Sequence, residues 1–148
     1  MSERARLVGV NHVALEVGDL DAALEFYARL FEFELRGRIG DRMAFIDMGD
    51  QFLALSSGGS AAPDRERHFG LVVDDLEAVR EAARREGIEL LGASGLDFSD
   101  PWGNNIQVVG YAEIQFERSP GVKRKLGIEA LEKSDAARAE IADRGIAD

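Results

Sequence analysis

Two stretches of this chain are copies of each other, and that limits the fold more than any single motif. Residues 11–35 read NHVALEVGDLDAALEFYARLFEFEL, and residues 67–91 read RHFGLVVDDLEAVREAARREGIELL. They align without a gap at an offset of 56 residues. Nine of the 25 pairs are identical: His12/His68, Leu15/Leu71, Val17/Val73, Asp19/Asp75, Leu20/Leu76, Ala22/Ala78, Glu25/Glu81, Arg29/Arg85 and Leu35/Leu91. A chain repeated in this way is built from two similar supersecondary units, each of which needs a neighbour to bury its apolar face.

Each copy opens with a period-two strand. Val13, Leu15 and Val17 point one way, as do Phe69, Leu71 and Val73; His12, Ala14 and Glu16 point the other way, as do His68, Gly70 and Val72. Asp19 and Asp75 then stand as helix N-caps, with acids in the first turn. Leu20, Ala23, Leu24, Tyr27 and Phe31 fall on one helical face, as do Leu76, Val79 and Ala83, and Gly87 is placed to stop the second helix. Strands are expected at 34–38, 43–48 and 51–56 in the first copy, with turns at Gly40-Asp41 and Gly49-Asp50. In the second copy they are expected at 89–91, 96–99 and 104–111, with a turn at Asp100-Pro101-Trp102-Gly103. The polar Gly/Ser/Pro run 57–66 reads as a flexible linker. The expectation is an α+β chain of two βαβββ modules: a domain over 5–116, with module 1 at 7–56 and module 2 at 67–116. A C-terminal extension with a short helix follows at 117–148.

That extension differs in composition. All three lysines, Lys123, Lys125 and Lys133, lie in it, and from Glu117 onward acids and bases cancel. The formal charge of −10 therefore belongs to the body. An acidic body repels phosphate backbones and anionic lipid, so the expected partner is a small molecule, with no nucleic acid and no membrane. No apolar stretch is long enough to span a bilayer. MSERARLVGV shows no signal-peptide pattern, and cysteine is absent, which excludes disulfides and thiolate chemistry. A cytoplasmic location is the expectation. In the tail, Ala112–Phe116 reads as an extended segment and Ser119-Pro120-Gly121 as a break. A helix runs from an N-cap at Ser134 to about Arg144, with Ala137, Ile141 and Leu131 as the residues to dock on the body or a second subunit.

The two histidines are the only ones in the chain, and the repeat places them at equivalent points on equivalent strands. They lie on the face opposite the helix. Two such sheets curving toward each other bring both imidazoles into one concave space, where they suit a divalent transition metal. Trp102, in the turn beside the mouth of that space, is a candidate to stack on a ligand. Phe45, Phe52 and Phe98 line either the cavity or the helix-facing core. Arg36, Arg38 and Arg42 cluster near a hairpin and are placed either to clamp an anion or simply to face solvent.

NHVALEV before GDLDAALEFY, its repeat RHFGLVVDDLEAV, and the closing DPWGNNIQVVGY together resemble the vicinal oxygen chelate superfamily. This group includes glyoxalase I, extradiol dioxygenases, fosfomycin-resistance thiol transferases, methylmalonyl-CoA epimerase and bleomycin-resistance proteins. The resemblance implies that the two modules form an incomplete barrel, commonly in a homodimer, around a cation (Fe, Mn, Ni, Co or Zn). It carries the metal-ligand positions onto His12, His68 and Gln107, the last standing where the family usually has glutamate. A fourth position, used by glyoxalase and epimerase branches, falls on Leu53 or Ala54, neither of which coordinates. A three-ligand site of dioxygenase or thiol-transferase type therefore fits better than a proton shuttle. His, His and Gln bring no negative charge to the cation, so Glu16, Asp47 and Asp97 stand either as substitute or supporting acids or as solvated and structural ones. Substrate contacts are expected from Trp102, Phe52 and Phe98. The implied function is metal-dependent lyase, transferase or dioxygenase chemistry on a substrate with vicinal oxygens. The alternative is a drug-sequestering, bleomycin-resistance-like binder with a degenerate metal site.

Overall fold

The computed structural model describes residues 10–59, 62–64 and 67–147. The first module runs β1 (His12–Val17), α1 (Leu20–Leu30), β2 (Leu35–Ile39), β3 (Met43–Asp47) and β4 (Phe52–Ser57). The second runs β5 (Phe69–Val73), α2 (Leu76–Glu86), β6 (Asp97–Ser99) and β7 (Asn105–Gly110). The first sheet has strand order β1-β4-β3-β2 and the second β5-β7-β6. Within each sheet the module's first strand lies parallel to its last. Among the described residues no closed barrel forms, and the mixed α+β architecture is the one the repeat leads to.

Local chemistry sets the helices. The Asp19 carboxylate accepts the Ala22 N–H at 2.7 Å, and Asp75 accepts the N–H groups of Glu77 and Ala78 at 3.0 Å. Each cap contributes about 1 kcal/mol. Gly87 ends α2 at φ 68°, a left-handed position that favours glycine. Strand burial alternates as expected: Leu15 and Val17 are buried while His12, Ala14 and Glu16 are exposed. On α1 the buried face is Leu20, Ala23, Phe26, Tyr27 and Leu30, one step round from the expected one. Leu24 and Phe31 are only partly buried at its edge.

The second module lacks the expected strand at 89–91. Only an isolated bridge joins Leu91 to Asp97. Gly92 and Gly95, at φ 82° and 68°, turn the chain back at once, so too little length is left for a ladder. The short β6 follows directly.

Both modules share one core. α1 and α2 touch, and Phe26, Tyr27 and Phe31 pack their rings on Phe98, 5.9–6.2 Å between centroids. A buried polar tie crosses the same boundary. Asp100, 4% exposed, accepts hydrogen bonds from Tyr27 Oη at 3.0 Å, Trp102 N at 3.0 Å, and Asn104 N and Nδ2 at 2.9 and 2.7 Å. Burial, reinforced by the Asp100 carboxylate, pushes the Tyr27 hydroxyl far above its ordinary pKa of 10.0. Below pH 10 both folded and unfolded chains keep this proton, and the tie contributes fully. Above pH 10 the unfolded chain loses it while the folded chain holds it, so stability falls by about 1.4 kcal/mol per pH unit for this group. Tyr27→Phe is expected to flatten that alkaline slope in urea unfolding series taken from pH 9 to 11; an unchanged slope would contradict it.

The stretch between the modules is partly held. Pro63 packs on Gly103, whose φ is 85°, and Asp64 N donates to Gly103 O at 2.9 Å. Residues 60, 61, 65 and 66, on which the flexible-linker reading also rests, lie outside the described residues, as do 1–9.

The extension contains two helices, α3 (Pro120–Leu126) and α4 (Asp135–Asp143). The expected break at Ser119-Pro120-Gly121 is in fact a helix start. Ser119 caps α3, accepting from Val122 N, and Pro120 occupies the first turn, where its missing N–H costs nothing. The expected extended segment 112–116 is instead a 3-10 turn at Tyr111–Glu113 followed by irregular chain. Lys133, 6% exposed, gathers it: its ammonium donates to the carbonyls of Tyr111 and Ile114 at 2.5 and 2.9 Å and lies 3.7 Å from the Tyr111 ring centroid. α4 begins at the Ser134 cap and buries Ala137 and Ile141, as the sequence indicates.

Candidate functional site

Strand alternation turns the side chain of His12 to the outer face of the first sheet. Its Nδ1 lies 2.8 Å from Asn11 Oδ1. With that oxygen accepting, the proton sits on Nδ1 and the lone pair on Nε2. The ring stacks on Phe52 at 4.6 Å and 10°, and Phe45 meets Phe52 edge-on at 5.6 Å. The β2–β3 register slips between Leu35 and Gly37, leaving Arg36 as the bulged residue. Its guanidinium lies over the Phe52 ring, 5.1 Å from the centroid. Arg38, by contrast, pairs with Asp21 and Asp41. Asp47 shares the His12 face but is engaged: Lys125 of α3 bonds to it at 2.9 Å and holds its carboxyl below the usual range.

His68 directly precedes β5 and sits on the corresponding face of the second sheet. Gln107 is flanked there by Gly70 on one side and Asp97 on the other, directly across the strands. His68, Gln107, Asp97, Gly92 and Leu91 line one cavity of about 240 Å³, with Phe98 among its walls. Asp97 Oδ1 is buried with no hydrogen-bond partner among the described residues. His12 lines a different and larger cavity of about 1080 Å³, which also reaches the helix side of both modules. Within a single chain His68 thus shares a cavity with Gln107, while His12 lines a different one. Among the described residues no group of three or more His, Cys, Asp or Glu side chains could hold a metal ion.

Residues 9–108 match the sequence profile of the Glyoxalase/Bleomycin resistance protein/Dioxygenase superfamily. The chain belongs to this superfamily. Solved structures agree on the fold. A possible glyoxalase from Bacillus cereus is 23% identical, with a TM-score of 0.57 over 70% of this chain and 99% of that one. A lactoylglutathione lyase from Agrobacterium tumefaciens is 23% identical, TM-score 0.56, over 72% and 96%. The fosfomycin resistance protein FosX from Listeria monocytogenes is 16% identical, TM-score 0.58, over 71% and 94%.

Register decides which residue of the superfamily's fourth position faces outward here. Gly70 pairs with Gln107, and Ala14, its repeat equivalent, pairs with Ala54. Ala54, not Leu53, is therefore the counterpart of Gln107. Neither side chain can coordinate. Phe98 is 2% exposed and belongs mainly to the core. Trp102 lines neither cavity, and its indole packs on Gly18. Phe52 is the aromatic ring in contact with His12. The structural role of Asp100 is missing from the sequence reading, where DPWGNN stands only as a turn. Asn104 donating to its own turn's aspartate is a local signal of that role, but the Tyr27 bond is long-range.

Proposed function

We propose that this chain binds a divalent transition metal and acts on a small molecule with vicinal oxygens, by lyase, transferase or dioxygenase chemistry. The site is shared between two copies of the chain. The observation that supports this reading is that the two repeat-equivalent histidines lie on outward sheet faces and line different cavities of the single chain. An isologous dimer supplies what is absent, because each copy offers both faces and two equivalent sites result. Exposed Val72 and Leu91 beside the second-sheet face give such a contact apolar surface.

The residues present fit a cation. His68, Gln107 and Asp97 line one small cavity, and Asp97 Oδ1 is buried with no hydrogen-bond partner among the described residues. His68 and Gln107 would hold the ion from the second sheet and His12 from the partner's first sheet, with Asn11 fixing the His12 ring so that Nε2 faces out. When bound, the cation supplies a Lewis acid for a developing oxyanion. The Phe52 and Phe45 rings give a substrate an apolar wall, and Arg36 offers a positive charge above it.

The test is metal content of untagged protein after reconstitution with Fe²⁺, Mn²⁺, Co²⁺, Ni²⁺ or Zn²⁺, measured by mass spectrometry. About one equivalent per chain is expected, lost in His12→Ala/His68→Ala. Absence of metal from the wild type overturns the reading and leaves a non-catalytic binder of small molecules as the function to pursue.

A further inference from the structure

We propose that Asp97 is itself a ligand of the divalent cation and supplies the carboxylate that position 107 lacks. This rests on the metal-binding reading above and goes beyond it by assigning the charge of the site to a residue outside the three the superfamily resemblance carries over.

Position supports it first. Asp97 and Gln107 are directly opposed across antiparallel β6 and β7, so their side chains leave the sheet on the same face. Directly opposed Cβ atoms lie about 4.5–5.5 Å apart, close enough for both side-chain oxygens to reach one ion. His68 lines the same cavity. On the other side of Gln107, a Cβ built at Gly70 meets nothing within 4 Å, so the face is open for the partner's imidazole and a substrate.

The state of the carboxylate supports it next. Oδ1 is buried and has no hydrogen-bond partner among the described residues. Buried polar groups are nearly always satisfied, and one that is not has room for a water, a ligand or an ion as its partner. The turn before β6 is also shaped around this group. A Cβ at Gly92 would fall 2.3 Å from Asp97 Oδ2, and the φ of 82° there excludes most side chains anyway. The chain thus keeps residue 92 bare where the carboxylate lies.

Charge supports it last. Two imidazoles and an amide leave a dication uncompensated, whereas two histidines and a carboxylate form the common facial set for divalent iron and its neighbours. Of the other acids on these faces, Asp47 is bound to Lys125, and Glu16 stands on the first sheet two rows from His12. Asp97 is the carboxylate that lines the same cavity as His68 and Gln107 among the described residues.

Calorimetric titration of the full-length metal-free protein with Co²⁺ tests this. Asp97→Asn is expected to weaken Co²⁺ binding at least about tenfold. Gln107→Ala should weaken it less than Asp97→Asn does, and Asp97→Asn/Gln107→Glu should recover it, because the carboxylate is returned from the neighbouring strand. The visible absorption of bound Co²⁺ should change in Asp97→Asn, and the metal-free variant should melt no lower than wild type, since only an unpaired charge is removed. Wild-type affinity in Asp97→Asn, with binding abolished in His68→Ala, overturns the assignment while leaving the metal site standing. So does a folded double variant that fails to recover. No Co²⁺ uptake by the wild type fails the metal reading itself.

Discussion

Mixing His12→Ala chains with His68→Ala chains is expected to restore metal binding that neither variant shows alone. In a dimer whose sites each take His12 from one copy and His68 from the other, a mixed pair holds one site with both histidines lost and one fully intact. Random exchange makes half the dimers mixed, so recovery should approach about a quarter of the wild-type metal content. A site contained in one chain gives no recovery, because every chain then carries a defect. The measurement is metal per chain after unfolding the mixture, refolding it and reconstituting it, with mixed dimers confirmed by mass spectrometry. Mixed dimers without metal would sink the shared site and require His12 and His68 to meet within one chain or to serve separate purposes.

Asp100→Ala is expected to be the most damaging single substitution to stability. It removes the acceptor of four hydrogen bonds and leaves the Tyr27 hydroxyl and the Trp102 and Asn104 backbone N–H groups without their partner, while Asn104 Nδ2 keeps its bond to Glu16 O. Stranding buried donors costs about 1–3 kcal/mol each, so a loss of at least about 3 kcal/mol is expected. For a chain this size that lowers the melting temperature by roughly 10 °C. Tyr27→Phe removes one bond while Asn104 Nδ2 still serves the same oxygen, and should cost about 1.5–3 kcal/mol. Paired urea unfolding curves decide the matter. An Asp100→Ala loss below 1 kcal/mol would mean that water replaces the lost acceptor and that the tie contributes little.

The fold was legible because its signals are local and occur twice. His12-Val13-Ala14-Leu15 and its copy fix strand parity, Asp19 and Asp75 fix helix starts, and each reading checks the other. The misreadings fall where a residue has two local meanings. Ser119-Pro120-Gly121 suits both a chain break and a capped first turn, and Arg118 helps decide it: its guanidinium pairs with Asp50 and donates to Met48 O at 2.9 Å, holding the start of α3 against the β3–β4 turn. Residues 89–91 have strand composition, but Gly92 and Gly95 reverse the chain before a ladder can form. The candidate site was legible as two faces and no further. Which faces meet depends on contacts such as Phe26 on Phe98, made between residues far apart in sequence. Alternation puts Asp97 on the Gln107 face, but its buried and unpartnered oxygen depends on the fold of the Gly92 turn.

The Tyr27–Asp100 bond also makes the two halves non-interchangeable. The repeat equivalent of Tyr27 is Ala83, so the second module has no phenol at that position. Two first modules would present two phenols to each other, and two second modules would present two buried carboxylates. Only unlike halves complete the bond. A duplicated chain with this feature has exchanged the freedom of its halves to pair with themselves for a fixed order, and a half-length version of either kind would be left with an unanswered polar group at its seam.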